Sequence, residues 1–166
     1  MESNAILTEI PRLRRYARAL LGDRAAADDL VQDTLERAWS RLSQWRVGSD
    51  MRAWLFGIMH NLRVDQLRRS TPPTQSIDEG DFDVPTRPVQ ADRLEVRDIE
   101  SSLSQLPDEQ REVLLLVALE EMSYAEIAAT LGIPVGTVMS RLSRGRERLR
   151  LVMDGWQPTT KLRVVR

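Results

Sequence analysis

One stretch limits the fold more than any other: 71–92, "TPPTQSIDEGDFDVPTRPVQAD". It holds four prolines and five acids, with few apolar residues. Proline has no amide hydrogen and clashes with the preceding turn, so neither a helix nor a central strand runs through it. The segment offers too little apolar surface to offset its ordering entropy. The chain therefore reads as two blocks joined by an acidic linker.

Both blocks carry helical periodicity, and strand signals are nearly absent. In the first, Ile6, Leu7, Ile10, Leu13, Tyr16, Ala17, Leu20 and Leu21 follow helix spacing, and Gly22 ends the run. Asp23 suits the N-cap of a second helix through "DDLVQDTLERAWSRL". There Leu30, Thr34, Ala38 and Leu42 form a stripe, thickened by Val31, Leu35 and Trp39. Gly48 breaks the pattern, and Ser49 or Asp50 caps a third helix, "MRAWLFGIMHNLRVDQLRR".

The second block opens with Leu94, Ile99, Leu103 and Leu106 at helical intervals. Pro107 fits the first position of the next helix, with Asp108 and Glu109 in its first turn. That helix has a nearly all-apolar middle, which places it at the centre of its domain. Next, Ser123 and Glu126 match a capping box, and Ile127, Ala128 and Leu131 form a buried stripe. Gly132 turns the chain, and Pro134 allows a restart.

Two helices about a short glycine turn make a helix-turn-helix, although an ordinary helical hairpin shares the pattern. The helix after the turn begins near Val135. Val138, Leu142, Gly145 and Leu149 form its packing face. Thr137, Arg141, Arg144 and Arg148 follow the same spacing one residue earlier, on a strip roughly 100° around the helix. In such a motif the second helix enters the major groove with its N-terminal part on the base edges. Val135, Thr137, Ser140 and Arg141 are then the base readers, while Arg144, Arg146 and Arg148 face phosphates. A solvated charged face is the plainer alternative. Against it, 141–150 carries net +4 on a block (93–153) of net −2, in a chain whose net charge is −1.

The third helix of the first block mixes Trp54 and Phe56 with Arg52, Asn61, Arg63, Arg68 and Arg69. Aromatics among arginines can stack on unpaired bases. Trp54, Ile58 and Leu62 also make a core stripe, which favours packing for Trp54. The loop "WRVGSD" offers backbone amides, Ser49 and Asp50, and suits a flipped base better.

Composition removes other classes of function. The chain has no cysteine, one histidine (His60), and no apolar run near the roughly 20 residues that span a bilayer. No disulfide, thiol chemistry, phosphate loop or clustered acid site is expected, hence no enzyme, cofactor, metal or small-molecule substrate. The N-terminus does not resemble a signal peptide, and a cytoplasmic protein is expected.

"DDLVQDTLERAW", "MRAWLFGIMHNLRVDQLRR" and "LPDEQREVLLLVALEEMSYAEIAATLGIPVGTVMSRLSRGRERLR" together resemble a bacterial RNA polymerase sigma factor of the extracytoplasmic-function type, over about 1–153. The resemblance implies an all-α protein of two small helical domains. A sigma-2-like bundle at 1–70 and a sigma-4-like helix-turn-helix at 93–153 flank the linker 71–92, and a tail follows at 154–166. It implies that Asp29, Gln32, Asp33 and Glu36 dock on the clamp helices of the largest polymerase subunit. The flap of core polymerase is the second contact it implies.

Loop 46–50 and helix 51–69 would recognise and melt the minus-ten element. Arg46, Ser49, Asp50, Arg52, Trp54, Asn61 and Arg63 are the candidates there, Asn61 falling where the family has a promoter-contacting asparagine. Helix 135–150 would read the minus-thirty-five element through Val135, Thr137, Ser140, Arg141, Arg144 and Arg148. An anti-sigma factor is the further partner expected, and the only indirect link to a membrane. The acids Asp78, Glu79, Asp81 and Asp83 would mimic RNA in the polymerase channel. Two rival readings share these motifs: a stand-alone helix-turn-helix regulator, and a sigma mimic that titrates an anti-sigma factor.

Overall fold

The computed structural model describes residues 2–70 and 96–155. Leu94, the acidic linker with Asp78, Glu79, Asp81 and Asp83, and Trp156 in the tail lie outside the described residues. The described chain is all-α. Its helices are α1 (Glu2–Leu21), α2 (Arg24–Ser40), α3 (Met51–Ser70), α4 (Val96–Ser104), α5 (Asp108–Ala118), α6 (Tyr124–Leu131) and α7 (Val135–Met153). A single 3-10 turn, Leu42–Gln44, follows α2.

The helix ends follow local chemistry. The Asp23 carboxylate accepts the Ala25 amide at 3.1 Å and starts α2. Asp50, rather than Ser49, caps α3 by accepting the amides of Arg52 (3.0 Å) and Ala53 (3.4 Å). Pro107 stands one residue earlier than expected, as the N-cap of α5. The capping box of α6 is complete: the Glu126 amide donates to Ser123 Oγ, and the Ser123 amide to Glu126 Oε2, each at 3.1 Å. Gly132 sits at φ +68°, in the left-handed region that a side chain disfavours. Pro11 lies inside α1, where it removes one helical hydrogen bond on an exposed turn beside half-exposed Leu7.

The stripes largely pack as their spacing predicts. Ile6, Leu13, Tyr16, Ala17 and Leu20 of α1 are buried with Leu30, Val31 and Ala38 of α2 and Leu55, Phe56 and Met59 of α3. Thr34 is buried too, its hydroxyl donating to the Leu30 carbonyl at 2.7 Å. Three apolar expectations fail: Leu7 is 52% exposed, Trp39 48% and Ile99 45%. In α5–α7, Val113, Leu116, Ile127, Val138 and Leu142 are fully or almost fully buried. Gly145 admits close packing, since a Cβ there would lie 3.4 Å from Gln110.

The two blocks are not held apart. Their buried residues form one continuous cluster, with α1 against α4 and α5, and α3 against α6. Arg111 of α5 ties them together. Its guanidinium donates to the carbonyls of Leu103 (2.7 Å), Leu106 (2.6 Å) and Ser104 (3.2 Å) at the end of α4, and also to Leu20 at the end of α1. Burial, together with the nearby Arg63 cation, pulls its pKa below the usual guanidinium value, and Asp108 opposes that shift. Arg111→Ala strands these acceptors, and a few charge-assisted bonds of this kind are worth about 2–4 kcal/mol in total. The expected outcome is a fall of that size in the urea unfolding free energy, with Arg111→Lys recovering only part of it because lysine lacks the planar fork.

Candidate nucleic-acid and polymerase surfaces

The surface of α2 is as expected. Asp29, Gln32, Asp33 and Glu36 are all exposed, and Gln32 Nε2 donates to Glu36 Oε1 at 3.4 Å. Trp39 lies three residues beyond Glu36 on the same side of the helix. The stripe reading gave it to the core. Instead it leaves an exposed indole beside an acidic, polar surface. Its offset from Gln32 and Glu36, seven and three residues, is the signal that places it there.

On α7 the buried face is Val138, Leu142 and Gly145, with Leu149 packed beside it. The arginine strip is not uniform. Arg141 is half-buried and pairs with Glu109 of α5 at 3.6 Å. Arg148 is half-buried, whereas Arg144 and Arg146 are exposed. Arg150 is taken up within its own helix, pairing with Glu147 at 2.7 Å and Asp154 at 3.4 Å. The hydrogen bond and charge of Arg150 hold the Glu147 carboxyl below its ordinary value, and those of Glu147 raise Arg150. Among the N-terminal readers, Thr137 is half-buried, while Val135 and Ser140 are exposed. Met139, one turn after Val135, is also exposed, which leaves an apolar pair on the outer surface.

The minus-ten candidates divide. Arg46, Ser49, Asp50 and Asn61 are exposed. Ser49 Oγ is turned onto the Arg46 carbonyl at 2.6 Å, and the Asp50 carboxylate is occupied as the α3 cap. Trp54 packs on the core with Ile58 and Leu62, as its stripe requires. Asn61 comes nine residues after Arg52, about 180° around α3. Trp54 shares the Asn61 side, and Arg63 shares the Arg52 side. The candidates therefore line two opposite faces of one helix.

The Arg52–Arg63 face meets the C-terminal block. Arg52 Nη1 donates to the Glu120 carbonyl at 2.8 Å. His60 Nδ1 lies 2.6 Å from Glu112 Oε1, and Arg63 Nη2 lies 3.0 Å from Asp108 Oδ1. Glu112, inside α5, and Glu120, in the turn just after it, are buried carboxylates in a stretch that sequence pattern reads as apolar. Their partners lie in the other block, so the pattern along α5 could not reveal them. Among the described residues no group of three or more histidines, cysteines and carboxylates could hold a metal ion.

Comparison with known proteins settles the family. The model for the sigma-2 domain of PhyR matches residues 6–60, and that for sigma-70 region 4 matches residues 97–149. The ECF RNA polymerase sigma factor EcfG of Rhodopseudomonas palustris is 38% identical over 90% of this chain and 84% of its own length. The chain belongs to the extracytoplasmic-function sigma factors. The sigma factor SigW of Bacillus subtilis is 30% identical over 79% of this chain and 77% of its own. Among solved structures, the sigma factor RpoE of Bartonella quintana, in complex with the anti-sigma factor NepR, is 35% identical. It has a TM-score of 0.74 and covers 92% of this chain and 96% of that chain. CnrH in complex with the cytosolic domain of CnrY is 30% identical, with a TM-score of 0.68, covering 94% and 89%. The chain is thus an alternative sigma factor directing transcription initiation. Sigma factors are a regulatory, non-enzymatic family, and none of the described helices is long and apolar enough to cross a membrane.

Burial, then the carboxylates Glu112, Asp108 and Glu120, push the Tyr16 phenol well above its ordinary value. A raised folded-state value means that the neutral phenol stabilises the fold. That contribution is fully present below the ordinary tyrosine value of about 10 and is lost as pH rises beyond it. The unfolding free energy of this sigma factor is expected to drop above that pH, and Tyr16→Phe to flatten the drop, in denaturant titrations across alkaline pH.

Proposed function

We propose that this sigma factor reads the minus-thirty-five element with α7 and the minus-ten element with the loop before α3 and the exposed side of that helix. The observation that carries this reading is the asymmetry of α7: one buried apolar face fixes it on the block, leaving Arg144, Arg146, Ser140 and the Val135–Met139 pair outward. A groove-reading helix needs this combination. Its cations meet phosphates, its hydroxyl meets a base edge, and its apolar pair suits thymine methyl groups. Arg141 and Arg148 are the weaker contributors, and Arg150 is spent on Glu147 and Asp154.

Asn61, Arg46 and the amides of 46–50 are the exposed groups for a melted strand. Asp29, Gln32, Asp33 and Glu36, with Trp39 as an apolar anchor, form the docking surface for the clamp helices of core polymerase. Aromatic anchors inside a polar rim carry most of the energy of such interfaces. An anti-sigma partner is supported by the NepR and CnrY complexes of the similar sigma factors. The stand-alone regulator reading leaves the polar α2 surface and Trp39 without a purpose. The mimic reading leaves the outward cations of α7 without one. A cytoplasmic location follows from a partner that acts on the chromosome.

Run-off transcription from genomic DNA with core polymerase tests the whole. Discrete promoter-specific transcripts are expected, and their absence with active core enzyme overturns the reading. On a promoter so identified, Arg144→Ala in the holoenzyme is expected to weaken binding and to reduce the slope of log affinity against log salt by about 1. Arg150→Ala should leave both unchanged.

A further inference from the structure

The α3 face that carries Arg52 and Arg63 is covered by the chain itself. We propose that the carboxylates of the C-terminal block act as an internal stand-in for a nucleic-acid backbone, holding the α3 cations in a closed form of the free protein that DNA must displace. This rests on the reading of α3 as a promoter-facing helix.

The contacts are ordered as a zip. On this face of α3 the cationic or protonatable groups are Arg52, His60 and Arg63. Their partners run in reverse along the other block: the Glu120 carbonyl, Glu112 and Asp108. About 17 Å of α3 is spanned, at 1.5 Å per residue. In the ion pairs between the blocks every acid comes from the C-terminal block and every base from the N-terminal one, while Arg111, the cation that crosses the other way, meets only the Leu20 carbonyl there. Arg12 and Arg15 of α1 add to the pattern, approaching Glu120 at 3.9 Å and 3.5 Å.

The seam is polar and incompletely satisfied. Glu120 has a fully buried side chain whose Oε2 has no hydrogen-bond partner. The Arg63 Nε is likewise buried without one. Desolvating such pairs offsets much of their attraction, so the seam sets register more than it adds net stability. A closure of that kind can be reversed by a competing polyanion, which offers Arg52 a phosphate in place of the Glu120 carbonyl and Arg63 a phosphate in place of the Asp108 carboxylate.

Sterics define the same interface independently. Gly57 of α3 faces α6 so closely that a Cβ would stand 3.3 Å from the Thr130 carbonyl. An alanine there favours α3 as a helix but presses the blocks apart.

The test uses the full chain, which has no cysteine to interfere with labelling. Dyes on Ser40→Cys and Ser101→Cys, both exposed sites, report the spacing of the blocks by energy transfer. The probe is a short mixed-sequence single-stranded oligodeoxynucleotide. Saturating probe is expected to change the transfer efficiency of the wild type. Asp108→Asn with Glu112→Gln, and separately Gly57→Ala, are expected to change it without probe and to tighten probe binding about tenfold, because the closed population no longer taxes affinity. Gly57→Ala keeps the test decisive should the charge variants unfold. Unchanged transfer and affinity in folded variants overturns the internal stand-in while Arg63→Ala still weakens probe binding. Arg63→Ala with undiminished binding, in the open Gly57→Ala background, overturns it together with the reading of α3.

Discussion

Helix ends are the constraint on which the structure depends. Each helix leaves its last carbonyls without partners inside the helix, and a small all-α protein has many such ends near its core. Arg111 answers two of them with one side chain. It collects the carbonyls that close α4 and reaches the one at the end of α1. This is why α5 lies where both blocks meet, and why the buried residues form one cluster rather than two.

From that placement follows the division of labour on α3. With α5 fixed against α1, Asp108 and Glu112 come to Arg63 and His60, and the turn after α5 comes to Arg52. The opposite side, with Asn61, stays exposed. A single helix thus presents one face to its own chain and one to solvent. Reversible domain contacts have this polar character, unlike obligate interfaces. The acids that neutralise α3 are also those that burden Tyr16, so the charge on that face of α3 and core electrostatics share one site.

Much of the fold was legible because the signals are local. The Asp23 cap, the capping box of Ser123 and Glu126, the left-handed Gly132 and the packing face of α7 each depend on residues within a turn or two of one another. The errors arose where an apolar residue had two possible neighbours. Trp39 fits the α2 stripe by spacing, but α2 ends at Ser40 and the indole lies at the edge of its packing. The candidate residues could be placed on their helices from the sequence, but not their surroundings. Arg141 and Arg144 look equivalent along α7, yet only one has Glu109 across from it.

By itself, the sequence determined the class of fold, the helix-turn-helix, the family and the cationic character of α7. Those properties reside in periodicity and in caps, which act over a few residues. Only the tertiary structure decided which cations are free. Whether an arginine meets solvent or a carboxylate depends on a partner such as Asp108, 45 positions from Arg63 along the chain. No spacing rule spans that separation, because the packing of α5 onto α1 sets it.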